Sequence, residues 1–517
     1  MKKYRKVTAL AMSSAMAIAA LAGCAGGKDK DETTTAELPK TTAEQTAAAS
    51  TEAPTVAPTA KPTESTTEEP TEAPTKWGGP ITEYKDRNIE VVTGKKAELR
   101  GVWRDGLLLV GGWREPQNQY EEDLKIWINE VGERNHFSIH LTNIERDASS
   151  YVEGLTASIA AGEPMGQLCE IDARWVPAMM NNHLMAPLED LSALDFTEWK
   201  WNKCVLEATT FGGHTYGMNV DYEPGYGVFF NKRILQEAGY GVDELYDLQK
   251  NGDWNWAKFE EILKACTKDT NGDGKTDIWG LTTSLGANYY TAVVHASGAD
   301  YVTKDASGQF VSQMGSEELL SALTWADEVR KEYGAPPTED PTGMVSYTDR
   351  FINGEVAMMV ANETDKQFLS SMKDDWGFVL IPCPDGELLV AVDDSAVVFI
   401  PASYSKEDAN EIAFAFDKIT VPMPFIDGDF WKENFYGDYM DSRAVDETLQ
   451  IMKRGINIKP RLELYVQGLY YNSVTNGLLY PLFAGEMTPE EGIKANLEKW
   501  EEILTKQNVR GEYYEKE

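Results

Sequence analysis

Basic residues are scarce beside acidic ones: 48 Lys and Arg stand against 84 Asp and Glu, a formal net charge of −36. A chain this negative lacks the basic face that neutralises phosphates, which argues against a nucleic-acid binder. It equally argues against electrostatic adhesion to an anionic membrane surface. Cysteine is sparse, five in 517 residues, with no C-x-x-C pair. That excludes a disulfide scaffold or a zinc ribbon. Five histidines are scattered, and His136 and His140 bracket a strand rather than form a ligand set. Beyond the N-terminus no stretch reaches the ~18 apolar residues that a membrane helix needs. Gly-x-Ser-x-Gly, the Walker loop and His-Glu-x-x-His are all absent. Only the two-carboxylate chemistry of a glycosidase stays open, because 84 acids give it ample material.

What the chain does have is enough apolar residue, 42% with 10% aromatic, for sizeable cores. At about 150 residues per domain its length suggests two to three domains. Residues 1–23 read as a signal peptide: Lys2, Lys3, Arg5 and Lys6 precede the apolar run Val7 to Ala20, too short to span a bilayer comfortably. The run ends in Leu21-Ala22-Gly23-Cys24, which resembles a bacterial lipobox, where the cysteine is diacylated and becomes the mature N-terminus. The plain alternative is a secretory signal with an incidental Cys24. Residues 24–78 are rich in Thr, Pro, Ala and Glu and poor in large apolar side chains. Such a composition cannot offset its chain entropy, so it predicts a disordered tether. At ~3.1 Å per residue its upper reach is on the order of 150 Å.

From about residue 100, strand and helix signals alternate. Leu107 to Val110 reads as a strand, Tyr120 to Arg134 as a helix, and Phe137, Ile139 and Leu141 alternate as in a strand. A helix over Tyr151 to Ala161, a strand over Leu168 to Ile171 and a helix over Val176 to Leu191 follow. This order predicts a mostly parallel sheet covered by helices on both faces. Further strands are expected at Gly227–Phe230, Val356–Val360, Gly377–Ile381 and Ala396–Ile400, and helices at Trp256–Cys266 and Ser316–Tyr333. Thr488-Pro489 opens a C-terminal helix as N-cap and first residue. The reading is of two α/β lobes. A wall or adhesion protein would better fit repeated β modules than this alternation.

Several segments, in order, resemble one family. They are Ala160-Ala-Gly162-Glu-Pro164, Tyr216-Gly217, Val228-Phe-Phe-Asn231-Lys232, Trp254-Asn-Trp256-Ala-Lys-Phe259, Asp269-Thr-Asn-Gly-Asp-Gly274-Lys-Thr-Asp277 and Phe351-Ile-Asn-Gly354-Glu-Val-Ala357-Met358. Together, over nearly all of 100–505, they are similar to family 1 extracellular solute-binding proteins, the sugar-binding lipoproteins of ABC importers that include maltose-binding-protein-like members. Two departures fall near the binding side. Met165-Gly-Gln-Leu168 replaces the usual Pro-Asp-Ile or Pro-Asp-Val, and Asn219 stands where the family has proline.

The resemblance implies a two-lobed α/β fold of the periplasmic-binding-protein class II type, with a ligand cleft between lobes joined by crossover strands. Lobe 1 is expected over 79–220 plus about 345–382, and lobe 2 over 221–344 plus about 383–517. It implies a non-enzymatic, monomeric protein on the outer face of the cell membrane, with a carbohydrate as ligand and ABC permease subunits as partners. A peptide or polyol ligand, and a secreted glycosidase, are the alternatives. Ligands sit outside the carboxyl ends of parallel strands, which points to four loops. These hold Trp113, Arg114 and Glu115; Asp172, Arg174 and Trp175; Tyr222, Glu223 and Tyr226; and Asp393 with Asp394. Aromatic faces stack on the C–H side of a pyranose, while carboxylates and guanidinium groups bond its hydroxyls. The bland alternative for each aromatic is core packing, expected for Trp127, Trp254 and Trp256.

One loop suggests a structural calcium. Asp269, Asn271 and Asp273 occupy positions one, three and five, Gly274 the sharp turn at six, Lys275 a carbonyl position at seven, and Asp277 position nine. Gly280 stands at twelve, where an EF-hand has its bidentate Glu. An Asp/Asn/Gly-rich surface turn is the alternative.

Overall fold

The protein is described here from a computed structural model, over residues 97–103, 119–143, 148–220, 222, 224–284, 286–336, 346–391, 396–421, 430–453 and 458–514. All of these lie in one compact unit, Glu72–Glu517. The signal segment, Cys24 and the tether lie outside the described residues.

Two four-stranded sheets organise the chain. The first contains β1 (Ala97–Trp103), β2 (Phe137–Asn143) and β3 (Leu168–Asp172). Here β1 runs parallel to both neighbours, with Ala97 opposite Phe137 and Gly101 opposite Leu168. The second contains β4 (Tyr226–Asn231), β5 (Trp279–Thr283), β6 (Val356–Asn362) and β7 (Trp376–Leu380) in the order β7-β4-β6-β5. Strand β8 (Ala396–Phe399) returns to the first sheet, antiparallel to β3, with Val398 opposite Glu170. Strands β4, β6 and β7 are nearly continuous apolar runs because both faces are covered: Val228, Phe229, Phe230, Met358, Met359 and Val379 are all fully buried.

The helices follow the expected periodicity. Gln119–Arg134 buries Trp127, Ile128 and Val131, and Lys406–Ile419 shares a core with them through Phe414 and Phe416. Trp256–Cys266 starts and ends as expected, with Asn255 accepting from Lys258 N–H as its N-cap. Ser316 caps Glu317–Tyr333, and Thr488 and Glu491 form a reciprocal capping box at the start of Pro489–Tyr514.

Two expectations need correction. The helix over Val176 to Leu191 ends at Asn181, because the chain turns at His183 (φ +56°) and continues as irregular backbone that bridges to Pro401. The expected division also groups 345–382 with lobe 1 and 383–517 with lobe 2. Backbone pairing instead places β6 and β7 in the second sheet and β8 in the first. Apolar runs of this kind look alike in sequence, and their composition does not say which sheet accepts them. The strand expected at Leu107 to Val110 lies outside the described residues.

Candidate functional site

A small, partly open concavity is lined by Tyr226, Asn288, Thr291, Ala292, His295, Arg461 and Tyr470. Tyr226 is the first residue of β4 and is half-buried there. Helix Gly286–Ala296 supplies four of the others on one face, at the i, i+3, i+4, i+7 spacing of 288, 291, 292 and 295. Tyr470 shares a hydrogen bond with Thr291 Oγ1 at 2.9 Å, and the Arg461 guanidinium lies 4.9 Å from its ring centre. Two tyrosine rings, an amide, a hydroxyl and two nitrogen-rich side chains thus converge on one concavity. This is the mixture of apolar face and fixed polar groups that holds a polyhydroxylated ligand.

Tyr226 is the one expected ligand residue among the pocket's own lining. Asp172, Arg174 and Trp175 stand together just beyond β3, on the turn Ala173–Trp175. Asp172 accepts from Arg174 N–H at 3.0 Å and from its guanidinium at 2.5 Å. That turn packs against Leu462–Tyr465, and the Arg174 guanidinium sits 5.5 Å from the Tyr471 ring centre, next to the pocket's Tyr470. Trp175 is half-buried, and its buried Nε1–H has no hydrogen-bond partner among the described residues. Tyr222 has a structural task, since its hydroxyl accepts the N–H of Lys203 at 3.1 Å. Trp113, Arg114, Glu115, Glu223, Asp393 and Asp394 lie outside the described residues.

The three tryptophans expected in the core, Trp127, Trp254 and Trp256, are packed there. Trp127 and Trp254 are buried, with Trp254 Nε1–H on Leu380 O at 2.7 Å. Trp256 stacks on Trp325 at 4.3 Å and donates to Pro382 O. The four described cysteines are free and buried, and burial pushes the thiols of Cys169 and Cys266 up to about 12, so neither is a ready nucleophile. Interior acids are held by cations: Asp417 by Lys200 at 2.6 Å, Asp327 by Arg330 at 3.2 Å, and Glu363 by Lys366.

In the 269–277 loop the candidate ligands bond to the loop's own backbone. Asp269 accepts from Gly272 and Gly274 N–H, Asn271 from Asp273 N–H, and Asp273 from Lys275 N–H. Asp277 turns inward onto Thr270 and Asn271, which hold its carboxyl below the usual range. Among the described residues no group of three or more His, Cys, Asp or Glu is arranged to hold a metal ion.

The pocket residues that sequence reasoning misses are Asn288, Thr291, Ala292, His295, Arg461 and Tyr470. Asn288, Thr291 and His295 carry a usable signal, polar side chains recurring at helical spacing within the apolar run 286–296.

Residues 127–419 match the family described as bacterial extracellular solute-binding protein. No curated protein matches this chain. Among solved structures, the chain is similar to an ABC transporter solute-binding protein from Thermotoga lettingae bound with α-D-tagatose. That pair shares 20% identity, covers 79% of this chain and 100% of the other, and has a TM-score of 0.51. It is also similar to the sugar-binding protein MalE from Xanthomonas citri, at 16% identity, 80% and 98% coverage and a TM-score of 0.56. A cyclic α-maltosyl-1,6-maltose binding protein from Arthrobacter globiformis shares 15% identity, with 81% and 99% coverage and a TM-score of 0.53.

Proposed function

Because the chain belongs to the bacterial extracellular solute-binding proteins, we propose that it captures a carbohydrate, with an oligosaccharide favoured, and delivers it to the permease of an ABC importer. The observation that carries the reading is the pocket, which Tyr226 and Tyr470 line beside the polar groups of Asn288, Thr291 and Arg461. Sugar-binding proteins among its structural neighbours support the choice of ligand. Capture works by differential affinity: contacts from both lobes exist together only when they are closed, so ligand shifts the population towards closure. Ion-paired interior acids and buried, poorly ionised thiols favour binding without chemistry. Calorimetry against a panel containing tagatose, maltotetraose and cyclic maltosyl-maltose tests this. Heat of binding with no new reducing ends is the expected result, and release of reducing ends would overturn it.

We propose that Cys24 carries the lipid, with the 24–78 tether between membrane and folded unit. Supporting this are the basic start, the apolar run and Leu21-Ala22-Gly23 directly before the cysteine. Cys24→Ser removes the acyl acceptor, so the protein should appear in the medium. Retention in the membrane fraction after a high-salt wash would count against the anchor.

A structural calcium is our separate proposal for the 269–277 loop. It is supported by the alternate acidic order and by Gly272 and Gly274, whose φ values of +78° and +82° let the loop close sharply. Asp277 would have to leave Thr270 and Asn271 to reach the ion. The expected outcome is a melting midpoint raised by calcium and lowered by chelator. Identical midpoints would leave the loop as a turn closed by its own hydrogen bonds.

A further inference from the structure

His295 closes one wall of the pocket from the end of helix Gly286–Ala296 and is fully buried. Carboxylates face both of its nitrogens: Glu463 Oε1 lies 3.1 Å from Nε2 and Asp300 Oδ1 lies 3.6 Å from Nδ1. The same Oε1 of Glu463 accepts the Nε–H of Arg461 at 3.1 Å. Lys459 Nζ completes the set, 2.8 Å from Asp300 Oδ2. Tyr301 meets the imidazole edge-on at 5.9 Å, and Tyr470 lies under the Arg461 guanidinium. Glu463 is not part of the pocket lining, yet the two lining residues beside it, His295 and Arg461, share one of its oxygens.

A carboxyl group 1% exposed would ordinarily give up its charge. Burial does push Glu463 up, but His295 and Arg461 outweigh it and hold the acid at about 2. Burial alone would depress His295, and the Glu463 charge, with Asp300, reverses that and raises it. Remove the Glu463 charge, and the buried His295 and Arg461 lose their common partner.

We propose that Glu463 is the positioning residue of the pocket: from behind the wall its Oε1 holds Arg461 and His295 as one unit. The pocket then meets its ligand with donors already oriented, which removes an ordering cost from binding. The proposal relies on the carbohydrate reading only for what this wall is for.

The test is made without sugar, so a failed sugar screen and a failed wall are separate results. Protein labelled with ¹⁵N at histidine and arginine is titrated as wild type and as Glu463→Gln, with His295→Gln and Arg461→Lys assigning the signals. In wild type the His295 midpoint should lie above that of an ordinary histidine, about 6.5. The Arg461 Nε–H should be protected from exchange. In Glu463→Gln the His295 midpoint should fall by about one pH unit or more, a tenfold loss of proton affinity, and the Arg461 signal should exchange. If the glutamine variant does not fold, Glu463→Asp keeps the charge but withdraws the shared oxygen from both groups, so the Arg461 Nε–H should lose protection and the His295 midpoint should fall below that of wild type. A wild-type His295 midpoint no higher than an ordinary histidine's, an equal midpoint in both proteins, or an Arg461 signal unmoved by either variant overturns the proposal.

Discussion

Trp175→Ala should bind the proposed carbohydrate about thirtyfold more weakly while melting close to wild type, and Trp254→Ala should do the reverse. The two residues differ in what surrounds them. Trp254 is fully buried, its N–H is taken by Leu380 O at 2.7 Å, and Phe259 packs edge-on against its ring at 5.6 Å. Cutting it to alanine removes a large apolar volume and strands a carbonyl, a loss of about 3–5 kcal/mol in folding stability. Trp175 keeps part of its surface in solvent, and its N–H is unpartnered among the described residues. A buried indole N–H normally finds an acceptor, and a sugar oxygen in the cleft would provide one. An aromatic anchor in a desolvated pocket can be worth about 2 kcal/mol, the thirtyfold loss named above. Calorimetric affinity and a urea midpoint on both variants decide the matter. If Trp175→Ala melts far lower while its folded fraction binds normally, the residue is core and has no part in the cleft.

Where local chemistry decides an element, the chain states it openly. Thr488-Pro489 announces a helix start because a hydroxyl cap and a pre-set φ act within one turn, and the helix begins there. The bounds of Trp256–Cys266 are legible for the same reason, since Asn255 and the apolar spacing are also local signals. Sheet membership is not legible. Val356–Asn362 and Ala396–Phe399 are both short apolar strands, yet one pairs with Tyr226–Asn231 and the other with Leu168–Asp172. That choice depends on contacts far apart in sequence, which residue type does not encode.

The site divides in the same way. Tyr226 and the Asp172–Trp175 turn can be picked out because each adjoins a strand end, a position that can be counted along the chain. Arg461 precedes the short 3₁₀ turn Leu462–Tyr465 and Tyr470 opens the π-helical stretch Tyr470–Leu479, whose spacing departs from the 3.6-residue period that marks an inward face in sequence. Glu463 is less accessible still. In the sequence it is one acid among 84, and only its distances to His295 and Arg461 distinguish it.

Gly227 joins fold and pocket at a single position, so Gly227→Ala should damage both. It follows Tyr226 in β4, the strand that lies between β6 and β7. A methyl group placed there would come within 2.4 Å of the Phe378 ring and 2.7 Å of the Val379 carbonyl oxygen. Phe378 is fully buried and packs on Phe229 at 4.6 Å, so its ring cannot simply swing aside. Moving the carbonyl would break the register that sets Val379 opposite Val228. A glycine inside a strand often marks such a close approach. Overpacking of a close-packed interior costs about 1–3 kcal/mol, and the upper part of that range is expected because one obstacle is backbone. The strain should relax towards the start of the strand, where Tyr226 is held on one side only, opposite Asn362, and so shift Tyr226 relative to the other pocket residues. Gly227→Ala should therefore lose sugar affinity even when measured on fully folded protein, whereas Trp254→Ala should not. Unchanged affinity in the folded fraction would show that Tyr226 keeps its place independently of the strand that carries it, and would remove this residue's link between sheet packing and binding.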